Sequence, residues 1–263
     1  MSDSPRLPIA IVAAMHEELA ALLAQMPDEQ RIHVAGRDYW VGHLQGQLVV
    51  AVLSRIGKVA AATTATVLME RFGVRAIVFT GVAGGLAPGV DVGDVVVATK
   101  LLQHDLDASP IFPKYEVPLT GHARFAADTA ISDALAVVAA DLLSDPVTLL
   151  GEKVVEDFKL TAPKVHRGLL VSGDRFVSTS AESEALRLAL PDALAVEMEG
   201  AAVAQVCHDY GVPFAAVRTI SDRADDAAHG DFTRFVSAVA SRYSLAVIDA
   251  WLATLPTDAP ATI

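Results

Sequence analysis

The sequence predicts an α/β fold in one domain, a central mixed β-sheet flanked by helices. Short, branched-rich apolar runs alternate with longer segments of helical spacing along the whole chain. One pair of alternating segments, hinged at Gln45-Gly46, reads as a hairpin and makes part of the sheet antiparallel. At 263 residues and 52% hydrophobic content the chain can bury a sizeable core, and no shift in composition marks a linker. One domain over residues 1–263, with its core at about 8–255, is the expectation.

Pro8 to Ala14 is an apolar run of strand length, and His16 to Gln25 has helical spacing with acidic residues at its start. Tyr39 to Leu44 and Gln47 to Ser54 are the two arms of the hairpin. Lys58 to Phe72 is alanine-rich and helical and ends at Gly73. Arg75 to Thr80 is a strand that runs into a glycine-rich turn, Gly81 to Gly85. Asp94 to Leu102 is β-rich, and the proline-punctuated stretch Gln103 to Gly121 is irregular, as lids and interface loops commonly are. Phe125 to Leu143 reads as a helix, whereas the polar, mixed stretch Ser144 to Lys164 supports no element. Arg167 to Ser172 is a strand, Ser180 to Leu190 a short helix, Val196 to Met198 part of a strand, and Gly200 to Tyr210 a helix closed by Gly211. Pro213 to Ile220 is a further apolar run ending on Ser221-Asp222. The last helix spans about Phe232 to Leu255. No internal repeat is visible.

Charge and cysteine content narrow the function classes. A net charge of −12 without a basic stripe argues against nucleic acid, whose phosphates would be repelled. The single cysteine, Cys207, excludes an internal disulfide, and Met1 to Pro8 lacks the charged-then-apolar pattern of a signal peptide. Both fit a cytoplasmic protein. The longest apolar stretches are broken short of the ~20 residues of a membrane helix, so no membrane association is expected.

Four junctions hold the candidate chemistry. Glu197 and Glu199 lie two apart in an apolar segment, so an extended chain would point both to one face. An ionised carboxylate out of water costs several kcal/mol unless compensated, which favours a functional reading of this pair. Asp222 follows an apolar strand, where open α/β sheets place ligand-binding residues, although a turn or N-cap aspartate reads the same way, with Asp225 and Asp226 nearby. Glu17 and Glu18 open a helix, where the dipole alone favours acids. The Gly81 to Gly85 turn lets backbone approach a ligand, yet it matches neither the dinucleotide nor the P-loop fingerprint, and a tight turn alone explains it better.

The ordered set of these segments resembles a known family. Ile9-Ala10-Ile11-Val12-Ala13-Ala14-Met15-His16-Glu17-Glu18, Ser54-Arg55-Ile56-Gly57-Lys58, Thr80-Gly81-Val82-Ala83-Gly84-Gly85, Val92-Gly93-Asp94, Val171-Ser172-Gly173-Asp174-Arg175-Phe176, Glu197-Met198-Glu199 and Arg218-Thr219-Ile220-Ser221-Asp222 are similar to successive signatures of the 5′-methylthioadenosine/S-adenosylhomocysteine nucleosidases, in the nucleoside phosphorylase-like superfamily. They span nearly the whole chain.

The resemblance implies hydrolysis of an N-glycosidic bond, with adenine leaving a sugar of oxocarbenium character. Asp222 matches the acid that serves the purine N7, and Glu18 the acid that deprotonates the water. Glu199 matches the acceptor of the ribose hydroxyls, Met198 packs against the sugar, and Glu197 is a supporting or water-positioning acid. Phe176 would stack on adenine and the backbone of Val177 would read its edge, with Ala83 and Gly84 beside the base. Met15 and Ile56 would line the site, and with Val82 in place of the family's serine the orientation of Asp222 would rest on other groups, the Ser221 hydroxyl or backbone amides. The resemblance implies a homodimer in which residues 103–121, aligned at His104-Asp105 and near Gly121, cover the partner's 5′-alkylthio pocket; Phe112, Tyr115 and Pro118 are the candidates. The partner molecule is a 5′-substituted adenine nucleoside, and no cofactor or metal is implied.

Three departures bear on this expectation. Val82 stands where many relatives have a serine that holds the catalytic aspartate. Arg55 replaces a common glycine, as a solvated residue or a hint of an anionic ligand. Residues 144–164 are longer than the usual connection. A purine nucleoside phosphorylase would need a cationic phosphate cradle, and the chain has Ala14-Met15-His16-Glu17-Glu18 at the first strand end instead. A futalosine-type nucleosidase with another 5′ substituent stays open, as does a non-catalytic nucleoside-binding protein on this fold. A Rossmann oxidoreductase lacks its fingerprint.

Overall fold

A computed structural model describes residues 7–224 and 232–256. The sheet is built around Ile9–Ala13 (β1), whose five residues are all buried. A strand apolar on both faces must have neighbours on both edges and layers above and below. Accordingly β1 pairs in parallel with Gln47–Leu53 (β4) and with Ala76–Gly85 (β5). The hairpin partner of β4 is Arg37–Leu44 (β3), and beyond it lies Gln30–Val34 (β2), to which the sequence assigns no element. Nearly every β2 side chain is exposed, so no apolar alternation announces this edge strand.

On the other side the sheet curls shut. Strand β5 pairs in parallel with Phe214–Asp222 (β10) and antiparallel with Ala193–Glu197 (β9). Val95–Gln103 (β6) pairs antiparallel with β10 and in parallel with Val165–Ser172 (β8), which pairs in turn with β9. These five strands close into a ring, which removes their free edges. The closure corrects the reading of Gly81 to Gly85 as a turn: these residues continue β5, with Gly84 opposite both Asp222 and Val196. A Cβ on Gly85 would come 2.9 Å from the Val90 carbonyl oxygen.

Alternate residues of β1 face opposite layers. Ile9 and Ile11 join a core under His16–Leu23 (α1), Thr129–Leu143 (α3) and Phe232–Ala253 (α8). Ala10 and Val12 face Lys58–Phe72 (α2) and Gly200–Tyr210 (α7), each closed by a left-handed glycine, Gly73 and Gly211. By length and composition α8 could cross a membrane, but Phe235, Val239, Val247 and Trp251 are buried in the first core.

The helix expected from Phe125 starts four residues later. Phe125–Ala126 (β7) pairs with β6, and Asp128 caps α3 by accepting the Ile131 N–H at 2.9 Å. Residues 144–164 contain two short helices, Pro146–Leu150 (α4) and Glu152–Asp157 (α5). Ser180–Ala189 (α6) lies where the sequence places it. After Gln103, which ends β6, the stretch to Gly121 is irregular, as expected, with a single bridge between Val117 and His122.

Candidate active site

The ends of β1, β4, β5, β8, β9 and β10 meet around one cavity. Its wall takes Met15 from beyond β1, Ile56 from beyond β4, and Val82, Ala83 and Gly84 from β5. Phe176 and Val177 follow β8, Glu197, Met198 and Glu199 close β9, and Ser221 and Asp222 end β10. The sequence named all of these. It did not name Ala14, Arg175, Val196 or Phe232, which also line the wall. Phe232 meets Phe176 edge-to-face, 6.4 Å between centroids at 78°. Its only signal in the sequence is an aromatic residue at a helix start.

Asp222 is 8% exposed and tightly framed. Its Oδ2 accepts the Ser221 hydroxyl at 2.8 Å and its Oδ1 accepts the Ala224 N–H at 2.8 Å. The frame depends on Gly84, where a Cβ would lie 2.9 Å from Asp222 Oδ1 and 2.9 Å from the Ala224 Cβ. Val82, also in the wall, offers no hydroxyl, so the hydroxyl that orients this carboxyl is that of Ser221.

Glu197 and Glu199 separate cleanly. The Glu197 carboxylate accepts the Glu199 N–H at 3.1 Å, the Gly200 N–H at 2.9 Å, the Ser172 hydroxyl and the Arg218 Nη2 at 2.9 Å. Its acceptor capacity is spent on holding the start of α7 and on a buried ion pair. Glu199 accepts the Gly57 N–H at 2.8 Å. Burial, then the charge of Glu197, push its pKa up to about 7, against the pull of Gly57 and Arg218.

Arg218 is the functional group that sequence reasoning passed over. It is fully buried, lies over the Phe79 ring at 4.1 Å, and donates Nη1 to the Phe79 carbonyl at 2.8 Å. Its charge stabilises the ionised forms of both Glu18 and Glu199, and its Nε has no hydrogen-bond partner among the described residues. A lone arginine inside the apolar run Pro213 to Ile220 was the available signal.

Glu18 departs from the expectation, because it does not line the cavity. It lies directly behind Met15 with no exposed surface. The Met15 N–H donates to Oε2 at 3.2 Å, the reach-back of a capping box, and the Ser244 hydroxyl of α8 donates to Oε1 at 3.0 Å. Burial raises its pKa, opposed by Ser244 and Arg218. Arg55 faces away from the cavity: its guanidinium donates to the Gly36 carbonyl at the tip of the β2–β3 turn, so it offers nothing to an anion there. Phe112, Tyr115 and Pro118 do not reach this chain's own cavity, and Tyr115 packs against a small core cluster with Leu102 and Leu169. Among the described residues no cluster of three metal-ligating side chains occurs.

A mixed sheet whose strand ends carry buried carboxylates into an apolar, aromatic-walled pocket fits the phosphorylase superfamily, whose sequence profile matches residues 8–253. A 5′-methylthioadenosine/S-adenosylhomocysteine nucleosidase from Anoxybacillus flavithermus is 37% identical over 232 residues, 88% of this chain and 92% of the relative. The chain belongs to the family of 5′-methylthioadenosine/S-adenosylhomocysteine nucleosidases, which are N-glycosyl hydrolases. The crystal structure of the Neisseria meningitidis nucleosidase with methylthio-immucillin-A superposes with a TM-score of 0.81 at 32% identity, over 95% of this chain and all of the other. The futalosine hydrolase of Helicobacter pylori is similar at a TM-score of 0.79 and 29% identity, over 95% of this chain and 98% of the other.

Proposed function

We propose that this chain uses water to cleave the N-glycosidic bond of 5′-methylthioadenosine and S-adenosylhomocysteine, releasing adenine and a 5-alkylthioribose. The observation that carries the proposal is the pairing of two buried carboxyls, Asp222 and Glu199, with the Phe176–Phe232 aromatic wall in one cavity. As the bond from the anomeric carbon to the purine breaks, its electron pair moves into the base and Asp222 supplies the proton to N7. Glu199 accepts hydrogen bonds from the ribose hydroxyls and stabilises the positive charge growing on the sugar. By the family resemblance Glu18 takes the proton of the attacking water, which has to reach it past Met15, since Glu18 itself does not line the cavity. Phe176 stacks on adenine and the Val177 backbone meets its edge.

Phosphorolysis is less well supported. Among the described residues the cation lining the cavity is Arg175, which is paired with Glu182, while Arg218 is committed to Glu197 and Arg55 to Gly36. Carboxylates at Glu197 and Glu199 would repel phosphate. Futalosine-type chemistry differs at the 5′ substituent, and the 37% identical relative favours the alkylthio reading. We assign residues 103–121, through Phe112, Tyr115 and Pro118, to the partner's cavity in a homodimer. The uncrosslinked Cys207 fits a cytoplasmic setting.

Adenine release from both nucleosides, with and without phosphate, tests the proposal. Adenine with free alkylthioribose in phosphate-free buffer is expected. A phosphate requirement with a sugar 1-phosphate product would refute hydrolysis.

A further inference from the structure

Three loops around the cavity are fastened together by side chains that do not line it. Lys58 opens α2 just after Ile56 and Gly57. Its Nζ donates to Asp105 Oδ1 at 2.5 Å and lies 4.0 Å from Asp174 Oδ2, while its backbone N–H donates to Asp174 Oδ1 at 2.7 Å. The circuit closes where Asp105 Oδ2 accepts the Asp174 N–H at 2.8 Å. The Lys58 side chain is only 16% exposed and that of Asp105 27%, so this pair is better shielded from solvent screening than a surface ion pair. Burial pushes the Asp105 carboxyl up, but the hydrogen bonds from Lys58 and the Asp174 amide outweigh it and hold the group below its ordinary range.

Each member of the circuit adjoins a working part of the site. Gly57, next to Lys58, donates its N–H to Glu199, and a Cβ there would lie 3.2 Å from Asp174 Oδ1. Asp174 is followed by Arg175, Phe176 and Val177 of the cavity wall. Asp105 roots the stretch 103–121, and its neighbour His104 lies against Gly173, where a Cβ would be 2.3 Å from the imidazole Nε2. The His104 N–H donates to the Ser172 carbonyl at 2.9 Å. The lid root therefore rests on the loop that carries the aromatic wall.

We propose that Lys58 is a positioning residue: by clasping Asp105 and Asp174 it fixes the Phe176 wall relative to the Glu199 anchor and ties both to the lid root. Without the ammonium, two carboxylates face each other across a partly buried gap and the two loops move independently. The substrate must then order them on binding, which raises KM more than it lowers kcat.

The kinetic arm of the test rests on the proposed nucleosidase activity, and a second arm does not. Lys58→Met is expected to raise KM for 5′-methylthioadenosine about tenfold, the effect of losing one charge-assisted hydrogen bond, with kcat changed less than about threefold. Amide hydrogen exchange should quicken at 104–107 and 173–177 together and stay unchanged in β1 and β5. Asp105→Asn, which leaves α2 untouched, should give the same pair of changes, and Lys58→Arg should restore both. Wild-type KM and exchange in Lys58→Met, quickening in one loop only, uniform quickening across the sheet, or no rescue by Lys58→Arg would each overturn the clasp. If the wild-type protein releases no adenine, the activity reading falls and exchange alone decides: joint loosening of the two loops sustains the clasp, and any other pattern refutes it.

Discussion

Glu199 has two requirements set against each other. Accepting hydrogen bonds from both hydroxyls of a diol is strongest in the ionised form, while its apolar surroundings and the neighbouring Glu197 favour the protonated form and move its pKa to about 7. Ionisation of Glu199 is therefore expected to contribute a rise in kcat/KM with a midpoint near 7, and Glu199→Gln should remove that contribution, leaving any limb due to Glu18, and lower the plateau by about a hundredfold. The same shift fixes a sign for stability. A carboxyl with a folded pKa above its unfolded value of 4.5 favours the folded state when protonated. That favour is full below 4.5 and lost as pH rises to about 7, so ionised Glu199 weakens the fold at pH 8. Glu199→Gln should then raise Tm at pH 8, with a gain that vanishes towards pH 4.5; a Tm lowered at pH 8 would contradict the strained carboxylate. Asp222→Asn keeps the shape of its frame but loses the acid, and adenine release should fall about a hundredfold or more with an intact fold. The sequence made the burial of Glu197 and Glu199 legible through their apolar flanks, and it could not divide their roles. That division depends on Arg218, brought to Glu197 by strand pairing from 21 residues away. Glu18 shows the reverse: its helix-start reading, open in the sequence, describes the hydrogen bonds it makes, and the pocket wall in front of it is Met15.

At the scale of elements, the site depends on how β5 ends. The strand passes from β10 to β9 at Gly84, and the Asp222 carboxyl occupies the space a side chain would need. Gly84→Ala should therefore impair adenine release through kcat while circular dichroism stays native, whereas unchanged kcat would mean that the carboxyl has room to move. The Glu197–Arg218 pair joins the end of β9 to the middle of β10 in the interior, with side chains 3% and 0% exposed. Removing one partner strands the other charge, and Glu197→Gln is expected to cost about 3–5 kcal/mol of stability, read from denaturant midpoints. Elements whose apolar pattern matched their environment were legible: β1, the β3–β4 hairpin, α2 and α7 stand where periodicity and terminal glycines put them. The misreadings have local physical causes. Strand β2 is exposed and shows no alternation, the glycines of β5 look like a turn because they make room for Asp222 and Val90, and α3 yields its first residues to a pairing with β6 that only the fold supplies. Of the short helices of 144–164, α4 owes its start to Pro146 and the Asp145 cap, and α5 starts after Gly151 with no side-chain cap, signals too brief to stand out in a polar stretch.

At the scale of the whole molecule, several large apolar residues stay exposed. Ile56, which lines the cavity, and Val59 are 67% and 79% exposed, and Ile111 and Leu119 of the stretch 103–121 are 81% and 90% exposed. Exposed large apolar residues of this kind suit a contact surface. In the proposed two-fold dimer each chain's 103–121 segment covers the other's cavity, so a complete site takes Asp222 from one subunit and Phe112 from its partner. This arrangement makes two defective variants complementary. Phe112→Ala retains the acid but loses the lid contact and should raise KM for 5′-methylthioadenosine; Asp222→Asn retains the lid but has lost the acid. After the two are co-expressed or exchanged, half of the dimers are mixed, and each mixed dimer holds one site with both groups intact. About a quarter of all sites should then regain wild-type KM, measured at substrate concentrations where Phe112→Ala alone is nearly silent. Activity no greater than the average of the two separate variants would mean that each cavity is completed by its own chain, and residues 103–121 would then have to be reassigned from the partner's site to a different surface.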